Sequence, residues 1–294
     1  MSNRFYIVDV FADRAYSGNP LAVVVCDSPL PCETMQQVAA EMNFSETIFV
    51  AVQPDVAAAY GVRIFTPARE IEFAGHPILG AAWIIHHHLA AVPSNVIQLN
   101  IATATITVRI ETDAGGRQLL WFRAPPMRLG RTVPVAAVAE SVGLMASDVE
   151  AALPIQVVSA GTAAMVIPVR TLDALYRSQI DLSCYKQLTG RGYPPLMYLF
   201  TRSAFDPEKD VSARFFFEAN GVREDPATGN GAAFLAAYML QHLVPPGERV
   251  ELRIDQGRTM SRPSEIRLRM RSHEGRQDVE VGGSVVPVVE GRLL

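Results

Sequence analysis

Lysine is nearly absent from this chain of 294 residues. Lys186 and Lys209 are the only two, and neither sits in the glycine-rich setting that would hold a pyridoxal phosphate as a Schiff base. Cysteine is scarce too. Cys26, Cys32 and Cys184 make an odd number without the paired spacing of a zinc site, and a chain of this length needs no disulfide staples, so reduced thiols are expected. Long apolar runs are missing: Ala81 to Ile85 and Ala232 to Met239 fall well short of the ~20 residues that cross a bilayer as a helix, which excludes a membrane partner of that kind. There is no excess of positive charge. A net charge of −4 leaves no broad basic surface for a phosphate backbone, which excludes nucleic acid as a partner. No basic segment with an apolar core precedes the strand-like alternation that begins at Phe5, and this predicts a cytoplasmic protein.

Metal and nucleotide signatures are lacking as well. Asp9 and Asp13 are not spaced as in a calcium loop, and no glycine-rich loop ends in Lys-Ser or Lys-Thr. His86-His87-His88 are consecutive, so on a helix they point in different directions; they predict a helix end meeting solvent rather than a chelating set. No metal or cofactor is expected.

What the chain has is apolar mass: 49% hydrophobic and 19% charged residues, at a length where one core tends to divide into two. Two segments share a layout. Arg63-Ile64-Phe65 leads through a loop to Gly75-His76, and Arg214-Phe215-Phe216 leads through a slightly longer loop to Gly229-Asn230. Each then enters a helix that is apolar nearly all round, Pro77 to Ile85 and Gly231 to Leu240. A short helix with no polar face must be enclosed, so each should run through the centre of its own domain with strands around it. Upstream, Gly18-Asn19-Pro20 opens the strand Leu21 to Val25, and Ala160-Gly161-Thr162 opens Ala163 to Ile167, so the order repeats. Pro125, Pro126 and Pro134 break periodicity between Phe122 and Val135. The expected domains are 1–128, completed by a last strand at about 283–294, and 129–282.

Other alternating runs predict strands at Phe5 to Val10, Ile97 to Ile110, Val250 to Ile254, Ile266 to Met270 and Val279 to Val281. Glu33 to Met42 predicts a surface helix with Met35, Val38, Ala39 and Met42 on its buried stripe. The segment Asn43 to Val50 reads as a strand heading into the core, and it carries Glu46.

A glycine ahead of an apolar helix lets a ligand reach backbone N–H groups that have no partner within the helix, so the two helix starts are candidate anion cradles for a carboxylate or a developing enolate. The alternative is that the glycines only make turns. His76 has two readings, structural or in a site. Asp225 has two that are compatible, in the site or capping a helix begun by Pro226. Glu46 is either a surface glutamate at a strand start or a carboxylate in apolar surroundings. In the second case burial would cost several kcal/mol unless it shifts its protonation, pairs or does chemistry. Such a group can accept a proton and return it.

The segments Gly18-Asn19-Pro20-Leu21-Ala22-Val23, Ser45-Glu46-Thr47, Phe65-Thr66-Pro67, Phe73-Ala74-Gly75-His76-Pro77 and Glu224-Asp225-Pro226-Ala227-Thr228-Gly229 stand in the order found in the PhzF-like family of phenazine biosynthesis. Gln256-Gly257 and Arg262-Pro263-Ser264 extend the resemblance over nearly the entire chain. It implies a diaminopimelate-epimerase-like α+β fold of two similar domains, each a mixed β-barrel wrapped around a central apolar helix, with the active site in the cleft between them. It also implies a homodimer and a cofactor-independent isomerase acting on a small carboxylic acid. In the phenazine enzyme a glutamate moves a proton between ring carbons of a dihydro-hydroxyanthranilate on one face. Glu46 matches that glutamate, and His76 and Asp225 match the family's other acid/base or hydrogen-bonding groups. Asn19, Ser45, Gly75, Thr228, Gly229, Asn230 and Gly231 fall at substrate-site positions.

Related epimerases place a cysteine from each half before a Gly-Asn or Gly-Ser helix start. Here those positions hold Ala74 and Thr228, so a two-thiol racemisation is excluded and a one-face shuttle remains. Asn230-Gly231 stands where the phenazine enzyme has serine and alanine, so the resemblance does not carry over the identity of the acid recognised. A second reading is a binding or scaffold protein that keeps the cleft without chemistry; the set Glu46, His76 and Asp225 favours the enzyme.

Overall fold

The computed structural model describes residues 3–52, 59–90, 92, 94–219 and 221–294. The chain folds into two compact units, Met1–Arg123 with Val281–Leu294, and Ala124–Glu280.

In the first unit β1 (Arg4–Val10) lies antiparallel to β2 (Asn19–Cys26), and α1 (Cys32–Met42) connects β2 to its parallel neighbour β3 (Thr47–Ala51). Antiparallel β4 (Tyr60–Phe65) and the short β5 (Glu70–Ile71) follow. After α2 (Gly75–Ile84) the chain returns as β6 (Val96–Asn100), parallel to β4. Then come β7 (Thr105–Thr112), antiparallel to β6, and β8 (Gln118–Arg123), antiparallel to β7. The run Ile97 to Ile110 is therefore two strands of a hairpin, not one. No glycine or proline marks the reversal between Asn100 and Thr105, which is why alternation alone did not divide it.

The second unit opens with β9 (Arg128–Val133) and the single turn α3 (Val135–Val138). From there the first unit's plan recurs. β10 (Ile155–Ala160) is antiparallel to β11 (Thr162–Pro168); α4 (Leu172–Arg177) and α5 (Leu182–Gly190) lead to β12 (Leu196–Thr201), parallel to β11. β13 (Val211–Ala219) is antiparallel to β12, and β14 (Val222–Asp225) is antiparallel to β13. After α6 (Gly229–His242), β15 (Arg249–Gln256) runs parallel to β13, and β16 (Ser264–His273) is antiparallel to β15. β17 (Arg276–Gly283) carries the chain out of this unit, and β18 (Val285–Arg292) pairs antiparallel with β1. The fold is mixed, with parallel and antiparallel pairs at corresponding places in the two units.

α2 and α6 are the helices without a polar face, and each is enclosed by strands of its own unit. Every residue of α2 except Trp83 is buried, and the helix packs on β1, β2, β3, β6, β7, β8 and β18. From Gly229 to Leu240, α6 is buried at every residue except Asn230 and packs on β9, β10, β11 and β16. Burying a helix this deep demands small residues where a strand comes close. A Cβ on Gly80 would lie 2.4 Å from Leu21 Cδ2, and one on Gly231 would lie 2.4 Å from the Tyr198 ring. α1, in contrast, buries one stripe, with Met35 and Ala39 fully covered and Val38 partly so, against Val24, Phe49 and Phe65. No helix among the described residues is long and apolar enough to cross a membrane.

Candidate active site

The first unit places Glu46 between the bend at Phe44-Ser45 and β3, not within a strand. α1 ends at Asn43, whose left-handed backbone (φ 53°) turns the chain out of the helix, and Phe44-Ser45-Glu46 then cross to Thr47. Because β2 and β3 are parallel with Ala22 opposite Thr47, Glu46 emerges beside the beginning of β2, where Asn19 is fully buried. The entry to β2 is fixed by Gly18, whose φ is +67° and whose Cβ, were there one, would stand 2.3 Å from Val10 O; only glycine fits there.

The Glu46 side chain is 17% exposed, and its Oε2 lies 3.5 Å from Nε2 of His76. His76 is the second residue of α2, and the imidazole is almost completely buried. Burial drives its pKa down to about 3, so at neutral pH the ring is uncharged and the contact with Glu46 is not an ion pair. Among the described residues Nε2 finds no hydrogen-bond partner, and neither does the buried Oγ1 of Thr47, the residue next to Glu46 in sequence. An unsatisfied buried polar atom such as His76 Nε2, 3.5 Å from a carboxyl group, is costly in a folded chain, and a functional site is a standard reason for tolerating it. Ser45 is half-buried beside Glu46. Ala74 occupies the N-cap of α2 and offers no side-chain oxygen, so the amino end of α2, beginning at Gly75, has no side-chain cap.

The second unit also begins its central helix without a side-chain cap, but by a different route. Thr228 sits at the N-cap of α6, where a threonine hydroxyl would ordinarily accept from the helix, yet it makes no such bond. Its Oγ1 instead donates to Asp225 Oδ2 in a short contact and accepts from Nε2 of Gln256 at 3.2 Å. Asp225 is therefore not the cap of a helix begun by Pro226: it ends β14, and the helix starts at Gly229. Gly229 and Gly231 are buried and Asn230 is half-buried. Gln256 was not expected to matter; its place in the Gln-Gly segment near Arg262 was visible, but nothing in the sequence ties it to Thr228.

Both hairpins that precede the central helices carry the same clamp. Arg63 forks onto Glu70 with Nε and Nη2 at 2.7 Å from the two carboxylate oxygens, and its guanidinium lies 5.2 Å from the Phe65 ring centroid. Arg214 forks onto Glu224 at 2.8 and 2.7 Å and lies 4.6 Å from the Phe216 ring. Arg214 Nη1 adds bonds to the carbonyls of Leu175, Tyr176 and Ser178. Glu224 precedes Asp225 directly, so this clamp fixes the strand end that presents Asp225.

His86, His87 and His88 fall in a π-helical turn, Ile85–Leu89, that follows α2. They are half-buried or exposed and bond Ser94 O (His86) and Gln118 Oε1 (His87), or stack on Tyr6 (His88). Among the described residues no group of histidine, cysteine, aspartate and glutamate could hold a metal ion.

Comparison with known proteins shows what the chain is similar to. Residues 8–291 match the model of a family described as phenazine biosynthesis-like protein. An isomerase of Pasteurella multocida, itself uncharacterised, is 31% identical over 300 residues, which cover 99% of this chain and 93% of that protein. A trans-2,3-dihydro-3-hydroxyanthranilate isomerase of Pseudomonas aeruginosa is 30% identical over 292 residues, 99% of each. The crystal structure of a Bacillus anthracis phenazine biosynthesis protein of the PhzF family superposes with a TM-score of 0.90 over 100% of this chain and 99% of that one, at 22% identity, and so shares the fold.

Proposed function

The chain belongs to the phenazine biosynthesis-like protein family, a family of isomerases, and from that premise we propose that it moves a proton within a small carboxylic acid by means of the Glu46 carboxyl group, without a cofactor. The observation that carries the reading is the pair formed by Glu46 and His76: a carboxyl group five-sixths buried, 3.5 Å from an uncharged imidazole, beside a helix start that has no side-chain cap. Glu46 as carboxylate takes a proton from a C–H bond of the substrate that is acidified by conjugation, and the electron pair moves into the conjugated system. The neutral His76 stands against Glu46 without adding a charge. Uncapped N–H groups at the helix starts favour the negative charge that builds up on the substrate. The Glu46 carboxylic acid, whose O–H proton exchanges with solvent, then delivers a proton to a second carbon on the same face, the double bond shifts, and the carboxylate is restored.

Asp225 and Thr228 hold the substrate's polar groups, with Asn19, Ser45, Gly75, Gly229, Asn230 and Gly231 lining its position. Asn230 brings both a donor and an acceptor, which favours an acid with a polar substituent. Each domain, in this proposal, is a mixed barrel around its central helix, and the protein is a cytoplasmic homodimer, an assembly that sedimentation tests.

Incubating the protein with small unsaturated and amino-substituted carboxylic acids in heavy water, and following each C–H signal by NMR, tests the reaction. A substrate shows deuterium entering at the carbon that receives the proton, together with a displaced double bond. Acids that raise the melting temperature yet exchange no C–H hydrogen would support the non-catalytic binding protein instead.

A further inference from the structure

The Gln256-Gly257 segment lies outside the acid/base set, yet the second unit is built to bring it against Asp225. Gly257 has a φ of +79°, and a Cβ there would lie 2.3 Å from Arg262 O and 2.5 Å from Pro226 O. The position therefore admits only glycine, and the close approach sets the buried Gln256 beside the segment Asp225 to Thr228. Gln256 uses both ends of its carboxamide there. Nε2 donates to Asp225 O at 2.9 Å and to Thr228 Oγ1 at 3.2 Å, and Oε1 accepts from the Thr228 backbone N–H at 3.4 Å. The orientation of the amide is forced, since the reverse would face two donors at Thr228 N and two acceptors at Asp225 O.

The consequence falls on one hydroxyl. Thr228 has a single hydroxyl proton, and with Gln256 donating to its oxygen, that proton goes to Asp225 Oδ2. The hydroxyl is then committed away from its own helix, although threonine at an N-cap would otherwise turn to accept from the N–H of Asn230 or Gly231.

We propose that Gln256 is a positioning residue that holds the Thr228 hydroxyl on the Asp225 carboxylate and off the amino end of α6, keeping Asp225 in one orientation and the first N–H groups of that helix uncapped. The proposal rests on the reading of Asp225 and Thr228 as substrate-holding groups. Gln256 acts through its bonds to those two residues.

The test compares Gln256→Met, which keeps the length and removes both polar ends, with the wild type. In a crystal structure of Gln256→Met the Thr228 side chain is expected to rotate and cap α6, and the amide signal of Gly231 or Asn230 in a 15N NMR spectrum moves with the new hydrogen bond. For activity, once a substrate has been found by deuterium exchange, Gln256→Met is expected to lower kcat by about 10- to 100-fold, less than the roughly 100- to 10,000-fold lost with an acid/base group itself, because the group is misplaced and not removed. In a Thr228→Val background the same change should alter kcat less than about 2-fold, because the rotor through which Gln256 acts is already gone. Thr228 remaining on Asp225 in Gln256→Met, or additive effects in the double variant, would overturn the proposal. If Gln256→Met does not fold, Gln256→Glu, which keeps the shape and loses the donor, is read in the same way. A wild type that exchanges no acid would sink the catalytic reading, while the Thr228 rotamer would still decide the role of Gln256.

Discussion

The two units are built on one plan and furnished differently. β1 to β7 and β10 to β16 pair in the same order and with the same sense, and both units run a glycine-headed apolar helix against their strands. Both lock the preceding hairpin with an arginine forked onto a glutamate and set over a phenylalanine. Features needed by the fold therefore occur twice. Glu46 and His76 do not: the residue just before β12, the counterpart of β3, is Pro195, and the second residue of α6 is Asn230. The second unit has its own unrepeated set, Asp225, Thr228 and Gln256, and the position before α2 that corresponds to Thr228 is Ala74. What the architecture requires was kept in both copies, and the differences between them are where chemistry is to be sought.

The clamps give the sharpest contrast in stability. The side chains of Arg214 and Glu224 are 8% and 13% exposed, against 39% and 40% for Arg63 and Glu70. Replacing Arg214 with methionine leaves the buried Glu224 without its cation, with only the Thr259 hydroxyl still bonded to it, and should cost about 3–5 kcal/mol in urea unfolding. Next in size is a pH effect confined to the first unit. The His76 pKa, ordinarily near 6.5, falls to about 3 in the fold because the ring is buried. Between those values the unfolded chain binds a proton that the folded chain does not, so the contribution of His76 to stability is complete above pH 6.5 and is lost as the pH drops toward 3. The slope is ~1.4 kcal/mol per pH unit within that window. His76→Gln, measured alongside the wild type from pH 7 to pH 4, should remove that part of the slope, whereas Asn230→Gln at the corresponding place in α6 should leave it.

Gly231→Ala drives a methyl group into the rigid Tyr198 ring and should cost about 1–3 kcal/mol; Gly80→Ala meets the end of the flexible Leu21 side chain and should cost less. The reverse ranking by thermal melting would mean that the second unit is the looser of the two. Smallest of all, Arg63→Met should stay within about 1 kcal/mol, since its ion pair is in contact with water. A loss as large as that from Arg214→Met would break the contrast between the clamps.

Much of the frame was legible because it rests on patterns local in sequence. Helices such as Ile78 to Ile84 and Ala232 to Leu240 have no polar face, so their enclosure could be read directly, and the stripe on α1 was equally plain. Turn chemistry was harder. The left-handed Asn43 stops α1 early enough to leave Glu46 in the connection ahead of β3 rather than in the strand, and the hairpin between β6 and β7 turns without glycine or proline. The site was legible as a list of residues and not as a network. Arg63 and Arg214 were visible as repeated positions, but Glu70 and Glu224 become their partners only when hairpins close. Likewise Gln256, 28 residues beyond Thr228, meets it through the parallel pairing of β15 with β13 and the forced turn at Gly257. Such contacts depend on register, which no local pattern encodes.

The claim on which the rest depends is that Glu46 itself carries the proton. Its most direct test sets wild type and Glu46→Gln side by side in heavy water with an acid the wild type isomerises, following C–H exchange and product formation together. Glutamine keeps the shape and cannot take up a proton, so both rates should fall about 1,000-fold, within the range removed with a general acid/base, while the acid still binds. Exchange at an undiminished rate in Glu46→Gln would contradict the account.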